Sequence, residues 1–149
     1  MATRLSDEEL RAWQALLHAH DRVVRTLDAE LRAEHGLHLV AYDVLLRLAR
    51  APEGLRMSDL AERVMLSPSG LTRMVDRLVA NGLVDRGRAD GDARVMLVRS
   101  TDRGRQVLRR AARTHLRGIR EHFTGRLSTA QLRSVAASLE TIAGPHLPH

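Results

Sequence analysis

Ser69, Gly70, Thr72, Arg73 and Arg77 lie within nine consecutive positions, and these are side chains that a helix needs in order to touch base edges and phosphates. A guanidinium is planar, permanently charged and forked, so it fits both a phosphate and the O6/N7 edge of guanine. Serine and threonine add short hydrogen-bonding groups, and glycine lets the backbone come close. All five follow Ser67-Pro68, which has the chemistry of a helix start: a hydroxyl to cap free N–H groups, then a residue whose φ is preset. Leu71, Met74, Val75, Leu78 and Val79 recur at helical spacing, so the polar set points away from an apolar stripe. Near its N-terminus such a helix has the form that enters a major groove in helix-turn-helix proteins.

The flanking segments must hold that helix in place. Met57, Leu60, Ala61 and Val64 form the apolar face of a preceding helix of about two turns, too short to be stable alone. Asn81-Gly82 suits a helix end, and Leu83–Arg86 and Val95–Val98 read as strands joined by the turn-forming residues Ala89 to Ala93. Helices bracket this unit. Ser6 and Glu9 make a capping box, and Leu10, Trp13, Leu17, His20, Val24, Leu27 and Leu31 then form a seam of 3.5-residue period that Gly36 ends. A second helix carries Tyr42, Leu45, Leu46, Leu48 and Ala49, and stops at Ala51-Pro52-Glu53-Gly54. Thr101 caps a fifth helix that Gly125 ends, and Ser128 with Gln131 opens a last one that runs to Gly144-Pro145. The expected fold is mainly α with a small β wing: a winged helix-turn-helix over 37–100 within a single domain of 1–149, flanked by dimerisation helices over 6–36 and 101–144. Two copies intertwining their outer helices would set two reading helices about one duplex turn apart.

Composition narrows the function. The 149 residues carry a formal charge of +6, and all 24 basic residues are arginine, a balance that favours a polyanionic partner. With no cysteine there is no disulfide, thiolate nucleophile, thiol switch or cysteine-ligated zinc. No apolar run reaches the roughly 18 residues that cross a bilayer, and the first residues lack a signal-peptide core, so a cytoplasmic protein without a membrane partner is expected. No phosphate loop, serine elbow or catalytic carboxylate pair is recognisable, which argues against an enzyme, and neither a cofactor nor a metal ligand set is assigned.

The stretch from Leu60 to Gly104 resembles the MarR family of winged-helix transcriptional regulators, and the order of helices on either side is similar too. The likeness is carried by Leu66-Ser67-Pro68-Ser69-Gly70-Leu71-Thr72-Arg73 with Val75-Asp76-Arg77-Leu78, by Gly82-Leu83-Val84 with Arg86, by Asp92-Ala93-Arg94 and by Thr101-Asp102-Arg103-Gly104. Two positions depart from the pattern: Ala93 stands where the family often has arginine, which removes one cation from each wing, and Ser100 stands where leucine is common.

The resemblance implies a homodimer that binds double-stranded DNA at a palindromic operator and represses transcription until a signal arrives. On this reading Ser67, Ser69, Gly70, Thr72, Arg73, Arg77, Arg86, Arg88, Asp92 and Arg94 form the DNA interface. Arg73 would read a base edge, Arg77, Arg86 and Arg88 would meet phosphates, and Arg94 would enter the minor groove with Asp92 pairing its guanidinium. The family's effector pocket points to Trp13, His20, Tyr42 and His115 as candidate contacts for a small aromatic acid or phenol. Two alternatives remain: a zinc-responsive repressor of the same fold, drawing on the eight histidines, and a winged-helix protein-interaction module that binds no DNA.

Overall fold

The computed structural model describes residues 4–144 apart from 65, so Pro145 and the residues after it lie outside the described part. Six α-helices and one hairpin occur in the order α1 (Asp7–His35), α2 (Leu39–Ala49), α3 (Met57–Val64), α4 (Pro68–Ala80), β1 (Val84–Ala89), β2 (Asp92–Ser100), α5 (Asp102–His122) and α6 (Thr129–Ala143). The chain is therefore mainly helical with a two-stranded wing, as expected. No helix among the described residues is long and apolar enough to cross a membrane. Two compact units divide the chain, one of Asp28–His115 and one of Met1–Leu27 with Leu116–His149.

The 28–115 unit holds the core. Leu31, Val44, Leu45, Leu48, Leu60, Leu71, Val75, Val84 and Val98 are its largest fully buried side chains, drawn from α1 to α4 and both strands. Neither α3 nor α4 could hold its shape alone, and each is fixed by burying one stripe against its neighbours. Between α2 and α3 the chain crosses to the wing, where Leu55 and Val98 exchange backbone hydrogen bonds of 3.0 and 2.8 Å. This bridge gives β2 a partner on its inner side, a pairing with no signature in the spacing of residues.

The hairpin is longer and its turn tighter than the sequence suggests. Asp90-Gly91 alone makes the turn, with Gly91 at φ +86°, and the ladder runs from Val84↔Ser100 outward to Ala89↔Asp92. An Asp-Gly pair suits a two-residue hairpin turn, because positive φ matches the twist of the strands. Arginines and aspartates occupy the outer ladder, where both faces meet solvent, so no apolar alternation marks those residues as strand.

The other unit contains the early part of α1, the end of α5 and α6. Its capping chemistry follows expectation: the Ser6 N–H donates to Glu9 at 2.7 Å and the Glu9 N–H to Ser6 Oγ at 3.2 Å, while Ser128 and Gln131 reciprocate at 2.9 and 3.2 Å. Helix α5 stops at His122, three residues before Gly125, and a single 3₁₀ turn over Thr124–Arg126 folds back on its end. A side chain at Gly125 would come within 2.5 Å of the Arg120 carbonyl, so glycine permits this close turn. Much of the expected seam stays uncovered. Leu10, Trp13, Leu17 and Val24 are exposed on α1, as are Leu116, Leu139 and Ile142 on the later helices and Phe123 just after α5. Leu16, His20, Val23, Phe123, Val135 and Leu139 line an apolar groove of about 670 Å³ within this unit.

Candidate nucleic-acid interface

Helix α4 starts where its first residues require it. Ser67 has extended backbone, its Oγ accepts the Gly70 N–H at 3.2 Å, and Pro68 occupies the first helical position. A Cβ at Gly70 would lie 3.0 Å from that Oγ, so glycine keeps the cap close as well as the surface open. Two further hydroxyls are held near this helix end: Ser69 Oγ lies 3.4 Å from Ser67 Oγ, and Thr72 Oγ1 donates to the Pro68 carbonyl at 2.9 Å. Replacing Ser67 with alanine removes the cap without opening a cavity. A loss of about 1 kcal/mol in folding stability is expected from urea melts of Ser67→Ala.

Leu71, Val75 and Leu78 turn inward, and Arg73, Asp76 and Arg77 turn outward. Among the described residues the guanidiniums of Arg73, Arg77 and Arg94 have neither a carboxylate nor a hydrogen-bond partner, and all three are exposed. Arg86 and Arg88 are different, because both are engaged within the protein. Arg86 Nη2 bonds Asp76 Oδ1 at 2.6 Å, tying the outer face of α4 to the first strand. Arg88 Nη1 donates across the hairpin to the Ala93 carbonyl. As a partly exposed pair Asp76–Arg86 adds little stability, and its consequence is that Arg86 and Asp76 neutralise one another beside the helix.

The wing tip is held by backbone, not by the ion pair expected from sequence. Asp92 Oδ1 accepts the N–H of Arg94 at 2.9 Å, a turn-type bond, and the Arg94 guanidinium is left outward. At the base, Arg99 Nε donates to the Glu53 carbonyl at 2.9 Å, and Thr101 Oγ1 donates to the Gly82 carbonyl at 2.7 Å while accepting the Gly104 N–H at 3.0 Å. Sequence reasoning missed the Asp76–Arg86 and Arg99–Glu53 ties, since partners 10 and 46 residues apart leave no local signature.

The four candidate effector residues fall into two groups. Tyr42 and His115 meet in the 28–115 unit, with ring centroids 4.5 Å apart and planes inclined by 41°. Burial raises the Tyr42 phenol above its usual pKa, with the nearby Arg50 charge opposing, and burial lowers that of His115, with Asp43 opposing. His115 Nδ1 is buried with no hydrogen-bond partner among the described residues, an uncompensated polar atom. His20 lines the apolar groove of the other unit, and Trp13 is exposed in that same unit.

Comparison with known proteins places this geometry among DNA-binding regulators. Residues 35–95 match the model of the MarR family. The crystal structure of Sco3205, a MarR family transcriptional regulator from Streptomyces coelicolor, in complex with DNA, superposes with a TM-score of 0.87 at 32% identity, covering 98% of each chain. AbsC, a MarR family transcriptional regulator from the same organism, superposes with a TM-score of 0.88 at 29% identity over 95% of this chain and 96% of its own. In sequence, the chain is 28% identical over 106 residues, 71% of its length, to the HTH-type transcriptional regulator YdgJ of Bacillus subtilis (strain 168). The aligned stretches span 64% of YdgJ and 44% of a second curated relative.

Proposed function

This chain belongs to the MarR family of transcriptional regulators, and from that premise we propose that it binds double-stranded DNA as a homodimer at a palindromic operator and represses transcription until a small molecule releases it. One observation carries the reading: Arg73 and Arg77 on a capped helix, and Arg94 on a pinned hairpin, expose guanidiniums that no carboxylate of the described protein neutralises. Arg73 reads a base edge, with Ser69, Gly70 and Thr72 beside it, while Arg77 meets phosphate and Arg94 enters the minor groove. Arg86 and Arg88 hold the wing in register and add positive potential to it. The DNA complex of Sco3205, at 32% identity to this chain, supports the reading as a DNA binder.

Dimerisation is supported by the uncovered apolar side chains Leu10, Trp13, Leu17 and Val24, which continue the seam of α1 and gain by burial against a second copy. For the effector, Tyr42 and the orphaned His115 Nδ1 favour a small aromatic acid or phenol that returns a hydrogen bond to the imidazole. The protein acts in the cytoplasm, where its operator lies.

Selection of bound duplexes from a random pool tests the proposal. A palindrome with half-sites about one helical turn apart is the expected product, and a single non-repeated site would exclude the dimer. Arg73→Ala should then weaken binding to the selected duplex by roughly 5- to 150-fold for each half-site, equivalent to about 1 to 3 kcal/mol per contact and twice that for the dimer, and relax preference at one base pair per half-site. Fluorescence anisotropy on matched and single-mismatch duplexes separates those two effects.

A further inference from the structure

Helix α5 carries seven arginines against only Asp102 and Glu121, so one element of 21 residues holds a net +5 of the chain's +6. The outer helices were expected to serve dimerisation, and that role does not call for such a charge. Arg103, Arg109, Arg110 and Arg113 lie in the 28–115 unit, are all exposed, and fall within roughly one third of the helix circumference, opposite the buried Leu108 and Ala111. Arg105 is otherwise engaged, bonding the Ser100 carbonyl at 2.6 Å and the Asp102 carboxylate. The other four have no carboxylate or hydrogen-bond partner among the described residues. Sealing them into an apolar interface would cost several kcal/mol per ion, so this face stays in water or meets anions.

The neighbouring residues say which anion. Between Arg103 and Arg113 there is no aromatic side chain, so the stacking platform that single-stranded nucleic acid needs is missing. The exposed positions there are arginines and Gln106, without the apolar anchors that give a protein partner its affinity. Four cations spread along about three turns of helix, with no hydroxyl among the exposed positions between them, suit a regular polyphosphate. Arg103 also lines one cleft with Arg77 of α4, so a cation from each helix faces the same opening.

We propose that Arg103, Arg109, Arg110 and Arg113 grip the phosphate backbone of the duplex that α4 reads, at phosphates outside those contacted by α4 and the wing. The proposal rests on the reading of α4 as a DNA reader. Its test compares the full-length protein with the triple variant Arg109→Gln, Arg110→Gln, Arg113→Gln, which keeps good helix formers on an exposed face. On the selected duplex, the slope of log K against log salt should become shallower by about two to three per protomer, since each phosphate contact contributes about 0.9. Phosphate-ethylation interference should lose a discrete set of positions, while base preference is retained. The triple lysine variant should keep the wild-type slope. An unchanged slope or an unchanged interference pattern in the glutamine variant overturns this proposal alone, as does sedimentation showing that the slope change reflects capture of a second duplex. Failure of the wild-type protein to bind any duplex overturns the reading of α4 as well.

Discussion

Raising salt from about 50 to 200 mM is expected to weaken binding to the selected duplex by about three to five decades, the consequence of some six to ten phosphate contacts that each release counterions. Arg73, Arg77 and Arg94 supply three unpaired guanidiniums per protomer, so a dimer brings six from the reading helix and wing alone, and the α5 arginines, where they reach phosphate, carry the loss to the upper end of this range or past it. Because arginine stays charged at every accessible pH, the slope should not change between pH 6 and pH 9. Titrations at five salt concentrations give the slope directly. A flat response would mean that the exposed guanidiniums do not face phosphate, and would return the chain to the class of winged-helix modules that bind protein.

Replacing Gly104 with alanine should be the most damaging glycine-to-alanine change among the described residues. Gly104 lies in the first turn of α5 with ordinary helical backbone, so its role is spatial. A Cβ there would lie 2.0 Å from the Leu83 carbonyl oxygen, 3.0 Å from its carbon and 2.8 Å from Ser100 Oγ. The obstruction is backbone, which cannot rotate aside, so α5 or the root of the wing must move. Overpacking of this kind costs about 3 kcal/mol or more, equivalent to roughly 6 to 12 °C in melting temperature for a protein of this size. Urea unfolding should show a lower midpoint with an unchanged m value. DNA affinity should fall too, because Leu83 directly precedes the first strand of the wing. A midpoint equal to wild type would mean that the approach of α5 to Leu83 is looser than described.

What could be read directly from the sequence follows from the range of the forces involved. Ser6 with Glu9, Ser67 with Pro68, Thr101 with Gly104, and Ser128 with Gln131 are caps whose partners lie within three residues, and each appears in the structure as its spacing requires. The apolar stripe of α4 was equally plain, since Leu71, Val75 and Leu78 must share a face in any helix. Strand limits were harder to see, because Arg88 and Asp92 sit where both faces of the hairpin are wet and hydrophobicity cannot sort them. Partner choice among the charges was hidden altogether. Asp76 had two arginines within reach on its own helix, yet it takes Arg86 from the strand, because the fold carries that guanidinium over the helix surface. Tyr42 and His115 could be listed as amphipathic side chains, but their contact depends on helices 73 residues apart in sequence.

Thr101 holds three parts of the molecule through one oxygen, donating to the carbonyl that closes α4 and accepting from the first turn of α5, immediately after the wing ends. The hydroxyl gives its one proton to the Gly82 carbonyl and accepts the Gly104 N–H on a lone pair, so a single atom satisfies a group at each helix end. The oxygen therefore splices the end of α4 to the start of α5. Valine at 101 would fill the same volume yet leave the Gly82 carbonyl and the Gly104 N–H without this partner, so the splice would rest on packing alone.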